Sequence, residues 1–283
     1  MKLQRNYILI LVAVIIGSVL IVTACQTIEY PDPSPATTTS TNQARFLFVN
    51  AAPGAPSLNF LVENNPAGQG VAFGQVATAY VPSQAGAVQL RARAVSGQIG
   101  GVIGSNDILF RAGATNQTNF AATAGVNYTV FATDTLNRPR PTTNGATNPG
   151  GPQLLVVTDN LTTPAAGNAH VRFFHLAPDV TPVSVRLVPT APTSVTVTPT
   201  LLNRAYRVTS VTSGTVTTNY ASFTPVPAAI YTAQVFTSAT ISTTSVAALT
   251  VPNVVLADGK IYTLYARGLR RNGTLGAGVV LHN

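Results

Sequence analysis

The chain has 283 residues, of which only 8% are charged, with a formal net charge of +8 and a single cysteine. One cysteine excludes a disulfide framework. The basic residues are scattered singly or in pairs, with no cluster interleaved with stacking aromatics, which excludes a nucleic-acid-binding surface.

The first element is a leader. Lys2 and Arg5 precede an uncharged apolar run from Tyr7 to Val22, the pattern of a secretion signal helix. The run is also near the lower length for a membrane span, and the residues after it decide the reading. Val22-Thr23-Ala24-Cys25 resembles a bacterial lipobox, with small residues before the lone cysteine. That resemblance implies a signal peptide over 1–24, cleavage before Cys25, and acylation of Cys25. Two or three acyl chains anchor firmly where one does not, because each buried methylene adds about 0.8 kcal/mol. Resemblance to Gram-negative lipoproteins further implies that Gln26, a non-aspartate, permits transfer to the outer membrane. Residues 25–43 continue as a Pro/Thr/Ser stalk that has nothing to bury.

Two copies of one pattern follow. ARFLFVNAAPGAP (44–56) and AHVRFFHLAPDVTP (169–182) each give a strand that runs into a proline corner. Alternation puts Phe46 and Phe48 on one face of the first strand, with Arg45, Leu47 and Val49 on the other. In the next strand Leu58, Phe60 and Val62 alternate with polar Asn59 and Glu63, and Val183, Val185 and Leu187 with Ser184 and Arg186. This predicts antiparallel sheets with one buried and one wet face. Later, AGVNYTVFA (124–132) aligns with DGKIYTLYA (258–266), a glycine turn feeding a strand, and Val156–Asn160 aligns with Val279–Asn283. The fold class predicted is all-β: two tandem antiparallel β-sandwiches, 44–161 and 169–283, joined by a linker at 162–168. Pro139–Pro152 reads as a long loop inside the first.

The stretches ARFLFVNAAPGAP, HVRFFHLAPD, VPAAIYTAQV and ADGKIYTLYARG resemble the bacterial domain-of-unknown-function family numbered 4397. The resemblance implies a secreted or lipid-anchored envelope protein with tandem immunoglobulin-like or transthyretin-like sandwiches. The first copy departs from the family pattern at Asn50 and Gly54, where the second keeps His175 and Asp179.

Chemistry-bearing residues are few. His170 and His175 lie five apart on one strand and face opposite ways, so they cannot share a metal ion. His175 and Asp179 bracket the proline corner and are the candidate acid–base or two-ligand pair. The competing reading is a turn-bonding Asp and a strand-capping His. The acids are too dispersed for a glycosidase pair at strand spacing. There is no G-x-S-x-G elbow, and Gly97–Gly104 lacks the ending of a phosphate loop. Asp134-Thr135-Leu136 resembles a short O-glycosylation signal at Thr135. Arg267, Arg270 and Arg271 surround the last hairpin loop and are candidate contacts for an anionic glycan or lipopolysaccharide. The expectation is a non-enzymatic lipid-anchored outer-membrane protein with a glycan or envelope-protein partner and no cofactor or metal. The rival is an envelope hydrolase or carbohydrate-processing protein with a single site in the second domain, near His175 and Asp179.

Overall fold

The computed structural model describes residues 42–96, 107–112, 118–139 and 150–283. The signal helix, Cys25, the stalk, Gly97–Gly104 and most of the Pro139–Pro152 loop lie outside the described residues. The described residues form one compact all-β unit with its own cores.

Among the described residues, the first half has nine strands: β1 (Gln43–Asn50), β2 (Leu58–Val62), β3 (Asn65–Val71), β4 (Val81–Gln84), β5 (Gly86–Ala94), β6 (Asp107–Leu109), β7 (Asn119–Ala122), β8 (Asn127–Thr133) and β9 (Gln153–Asp159). The second half has ten: β10 (Asn168–His175), β11 (Val183–Ala191), β12 (Thr200–Arg204), β13 (Ser210–Ser213), β14 (Val216–Asn219), β15 (Thr224–Pro227), β16 (Ala229–Phe236), β17 (Leu249–Leu256), β18 (Ile261–Arg267) and β19 (Gly276–Leu281).

The two halves repeat one topology. The first pairs β4-β1-β8-β9 against β3-β2-β5-β6, with β7 also on β5. The second pairs β15-β10-β18-β19 against β12-β11-β16-β17. The hairpin β13–β14 is an addition of the second half. In both halves the first strand pairs parallel with the penultimate one, β1 with β8 and β10 with β18. This is a departure from the all-antiparallel expectation. Local alternation cannot distinguish the two, since only the long-range partner sets strand direction.

The motif that aligned best has a clear physical role in each copy. Gly125 and Gly259 take φ of 77° and 70°, the left-handed region that glycine enters without a Cβ clash. Each donates its N–H back to the start of the first strand, to Gln43 O at 2.8 Å and Asn168 O at 2.9 Å. Three residues on, Tyr128 and Tyr262 enter the cores, and their hydroxyls accept the N–H of Thr123 (3.0 Å) and Ala257 (3.1 Å).

Three cores result. One fills the first sandwich around Phe46, Phe48, Phe60, Leu90 and Tyr128. A second fills the other around Phe173, Val185, Leu187, Tyr231 and Tyr262. The third lies between them: Leu47, Val49, Phe131 and Val157 pack on Phe174, Leu176, Tyr265 and Val280. The face expected to be wet on β1 and β10 is therefore covered by the sibling sandwich. Four sheets stack in sequence, and the central strands of the two inner ones, β1, β8, β10 and β18, are buried on both sides. Side chains of this size contribute about 1.5–3 kcal/mol each when fully buried.

The inner contact is quasi-symmetric. Phe131 and Tyr265 hold equivalent positions and touch, with ring centroids 5.7 Å apart. Such a residue meeting its own counterpart is the signature of an isologous interface. Beside Tyr265 the strand β19 has Gly278, where β9 has Leu155 beside Phe131. The larger Tyr265 ring occupies the space a side chain at 278 would need.

Candidate functional site

The densest polar chemistry among the described residues sits at one end of this inner interface. Arg172 on β10 is 1% exposed, and Asp159 at the end of β9 is 4% exposed. Their side chains form an ion pair across the two sandwiches. Arg172 also donates through Nη1 to Thr158 O at 2.8 Å and Ala221 O at 3.1 Å, and through Nε to Thr263 Oγ1 at 2.8 Å. Phe223 lies over the guanidinium, 4.3 Å from its ring centroid to Cζ.

The bonds close into a ring. Thr263 Oγ1 lies 2.7 Å from His282 Nε2, and His282 Nδ1 lies 2.6 Å from Tyr80 Oη. The Tyr80 hydroxyl donates to Asp159 Oδ2 at 2.8 Å, and the Thr129 hydroxyl donates to the same oxygen at 2.7 Å. The donor inventory fixes the protons. The Tyr80 proton goes to Asp159, so His282 donates from Nδ1 to the Tyr80 oxygen, and Nε2 of the neutral ring accepts from the Thr263 hydroxyl. Burial holds the His282 pKa down to about 4, with Asp159 opposing and Arg172 reinforcing that shift. Burial and the neighbouring Asp159 push the Tyr80 pKa up, so its hydroxyl remains a donor.

Local sequence explains the placement. In each YT pair the tyrosine points into its own core and the next residue, Thr129 or Thr263, points to the opposite face. Asp159 and His282 occupy equivalent strand ends, as do Tyr80 and Phe223 before β4 and β15. Leu47 is the counterpart of Arg172. A groove of about 300 Å³ beside the ring is lined by Leu47, Val76, Tyr80, Leu281 and His282. The polar atoms of Tyr80 and His282 are already engaged within the ring, so the groove offers their ring surfaces rather than a free base.

His175 and Asp179 have different duties. His175 is 1% exposed; its Nδ1 accepts the Ala177 N–H at 3.3 Å, and its Nε2 lies 3.3 Å from Val180 O. Burial lowers its pKa, consistent with one ring nitrogen accepting and the other donating. Asn50 does the same work in the first copy: Oδ1 accepts the Ala52 N–H at 3.3 Å, and Nδ2 donates to Val71 O at 3.0 Å. Asp179 accepts the backbone N–H groups of Arg270 (2.9 Å) and Arg271 (3.0 Å). It thereby ties the proline corner to the β18–β19 hairpin, the same loop singled out for its arginines.

The three loop arginines separate. Arg270 and Arg271 are exposed at the hairpin tip. Arg267 instead stacks on Phe73 of the first sandwich, 4.8 Å from the ring centroid, over Gly74. Asp134 is buried, bonded by Gln153 Nε2 at 2.9 Å and by Arg138 at 3.4 Å, and Thr135 beside it is partly buried. Among the described residues no three His, Cys, Asp or Glu side chains gather as a metal site. The ring was missed in the sequence because Arg172 sits where alternation predicted solvent. The signal that would have found it is the apolar character of both faces of β1, β8, β10 and β18, which marks strands covered on both sides.

Together these features define a tandem β-sandwich protein whose two repeats are joined face to face through a shared apolar core and a buried polar ring. The family described as Domain of unknown function (DUF4397) matches residues 44–186, and the chain belongs to that family. The match covers the first sandwich and continues through β10 into β11. Comparison with curated proteins gives no match. Among solved structures, a leucine-rich repeat protein from Bacteroides thetaiotaomicron VPI-5482 aligns at 10% identity over 80% of this chain and 26% of that one, with a TM-score of 0.17. This chain thus spans about a quarter of that protein's length, and the likeness carries no argument.

Proposed function

We propose that the chain is a non-enzymatic module of the bacterial outer membrane, lipid-anchored at Cys25, that presents two fused sandwiches as a rigid binding or structural unit. The observation that carries this reading is how the side chains capable of chemistry are used. Arg172, Asp159, Tyr80 and His282 satisfy one another in the ring, and His175 and Asp179 are bonded to backbone. A catalytic base needs a free, substrate-facing atom, and these are committed to holding the fold. The lipobox-like leader supports the anchor, and the exposed Arg270 and Arg271 suit an anionic glycan.

The test has two arms. Residues 41–283 are screened for binding to envelope fractions and a glycan array, where saturable binding weakened by Arg270→Ala/Arg271→Ala supports the module. The full chain is labelled with an alkynyl fatty acid, and label that vanishes in Cys25→Ala supports the anchor. Turnover of an envelope substrate that is lost in His175→Asn would sink the non-enzymatic reading.

A further inference from the structure

The two sandwich cores are not equally filled. Strand register sets their positions in correspondence: Phe60 opposite Ala92 matches Val185 opposite Val235, and Val62 opposite Leu90 matches Leu187 opposite Ala233. Likewise Ala132 opposite Leu154 matches Ala266 opposite Ala277. Going from the first core to the second, Phe60 becomes Val185, Leu90 becomes Ala233 and Leu154 becomes Ala277. Phe46 to Val171 and Leu58 to Val183 are further decreases, and the increases, Val62 to Leu187, Val88 to Tyr231, Ala92 to Val235 and Val130 to Leu264, do not restore the lost volume.

The consequence is a cavity of about 110 Å³ in the second sandwich, lined by Phe173, Val185, Ala233, Val251, Leu264 and Ala277, among others. It lies between β17 and β19, the two edge strands on one side of the sandwich. In the first sandwich the equivalent edges, β6 and β9, pack on each other, and Leu154 is 3% exposed in the core. In the second, Val279 lines the cavity and is 46% exposed, which places the mouth at the β19 edge. A dry apolar cavity of about 150 Å³ is enough to hold benzene. This one is slightly smaller and opens to solvent on one side.

We propose that the seam between β17 and β19 is a binding site for the apolar end of a small amphiphile: an alkyl tail or single aromatic ring of up to about six carbons, with its polar head left in water. The ligand replaces the side-chain volume that the sibling core supplies from Leu90 and Leu154. The lining is apolar, so selectivity is by size and shape rather than by charge. This site is independent of the anchor and of the polar ring, and its test does not depend on either.

The experiment uses residues 41–283, benzene, and a series of straight-chain primary alcohols, read by methyl chemical shifts and by Tm. Benzene is expected to give saturable shifts confined to the methyls that line the cavity, those of Ala233 and Ala277 included. In the alcohols, affinity is expected to rise roughly fourfold per methylene while the cavity fills, and then to stop rising. Ala277→Leu, which installs the residue of the first copy, is expected to raise Tm and abolish the saturable shifts. Ala233→Val provides a second, milder filling and is expected to weaken binding. Absence of saturable shifts in the native chain overturns the proposal, as do undiminished shifts in a folded Ala277→Leu chain. So does an alcohol series whose affinity climbs without a break, since that is unspecific partition.

Discussion

Replacing Arg172 with leucine, the residue the first copy has at this position, isolates what the ring contributes. The substitution removes the ion pair to Asp159 and three further donated bonds, to Thr158 O, Ala221 O and Thr263 Oγ1. Asp159 keeps the Tyr80 and Thr129 hydroxyls but loses its counter-charge while 4% exposed. Breaking a buried pair from one side costs about 3–5 kcal/mol, because the partner is left as an uncompensated charge. Against a typical domain stability of about 5–15 kcal/mol, that is a large share. The double variant Arg172→Leu/Asp159→Asn leaves no charge in the ring, and its amide retains an acceptor for Tyr80 and Thr129. Its cost is expected to be at least about 1.5 kcal/mol below the sum of the single costs, as coupled sites are not additive. The chain has no tryptophan, so urea unfolding is followed by circular dichroism. A single-variant cost under about 1 kcal/mol, or additive single and double variants, refutes the view that the pair is a coupled, desolvated lock.

Acid should loosen the same interface. The His282 pKa falls from 6.5 to about 4 on folding, so between those values the unfolded chain binds more protons than the folded one. Stability is therefore full above about pH 6.5 and falls as pH drops toward 4, by up to about 3 kcal/mol. His282→Gln should flatten that part of the profile, and an unchanged slope would count against a neutral buried imidazole. At the proline corner, His175→Asn is expected to cost under about 1 kcal/mol, because Asn50 already caps the equivalent turn. His175→Ala leaves the Ala177 N–H and Val180 O without partners, at about 1–3 kcal/mol, and equal costs in urea unfolding would argue against the shared role. A Cβ at Gly278 would overlap the Tyr265 ring, so Gly278→Ala should cost about 1–3 kcal/mol and lower Tm by several degrees. Tyr265→Leu in the same chain should recover part of that loss, and failure to recover any would place the strain elsewhere.

Much of the fold was legible in the residues themselves. Strand alternation, the glycine turns and the doubled proline corner gave the repeat and its register, and these are local properties of backbone and side chain. The partner of each strand was less accessible, because pairing β1 with β8 rather than with a neighbour in sequence depends on closing a long loop. The inner interface was hidden for a related reason. Alternation says that Leu47 and Arg172 share a face of their strands, but not what covers that face. Arg267 shows the same limit: its spacing from Arg270 and Arg271 suggested one basic tip, yet Phe73 and Gly74 of the other sandwich take its guanidinium. His175 and Asp179 were legible as turn residues because the first copy replaces both, which argues for geometry over chemistry.

The departures between the copies at the inner face have a common logic. Leu47 corresponds to Arg172, Asp159 to His282 and Tyr80 to Phe223; the polar ring takes Arg172 and Tyr80 from the first and last pairs and both members of the middle one. If two first-repeat sandwiches packed by this face, Asp159 would meet Leu47 and be buried without a cation. If two second-repeat sandwiches did so, Arg172 would meet a neutral His282 and lack its carboxylate. Both like pairings bury an unmatched charge, and the mixed pairing alone neutralises it. The apolar core around Phe131 and Tyr265 supplies adhesion to any of the three pairings, so adhesion cannot choose among them. The charge asymmetry does, and it fixes the covalently linked sibling as the partner that each inner sheet accepts.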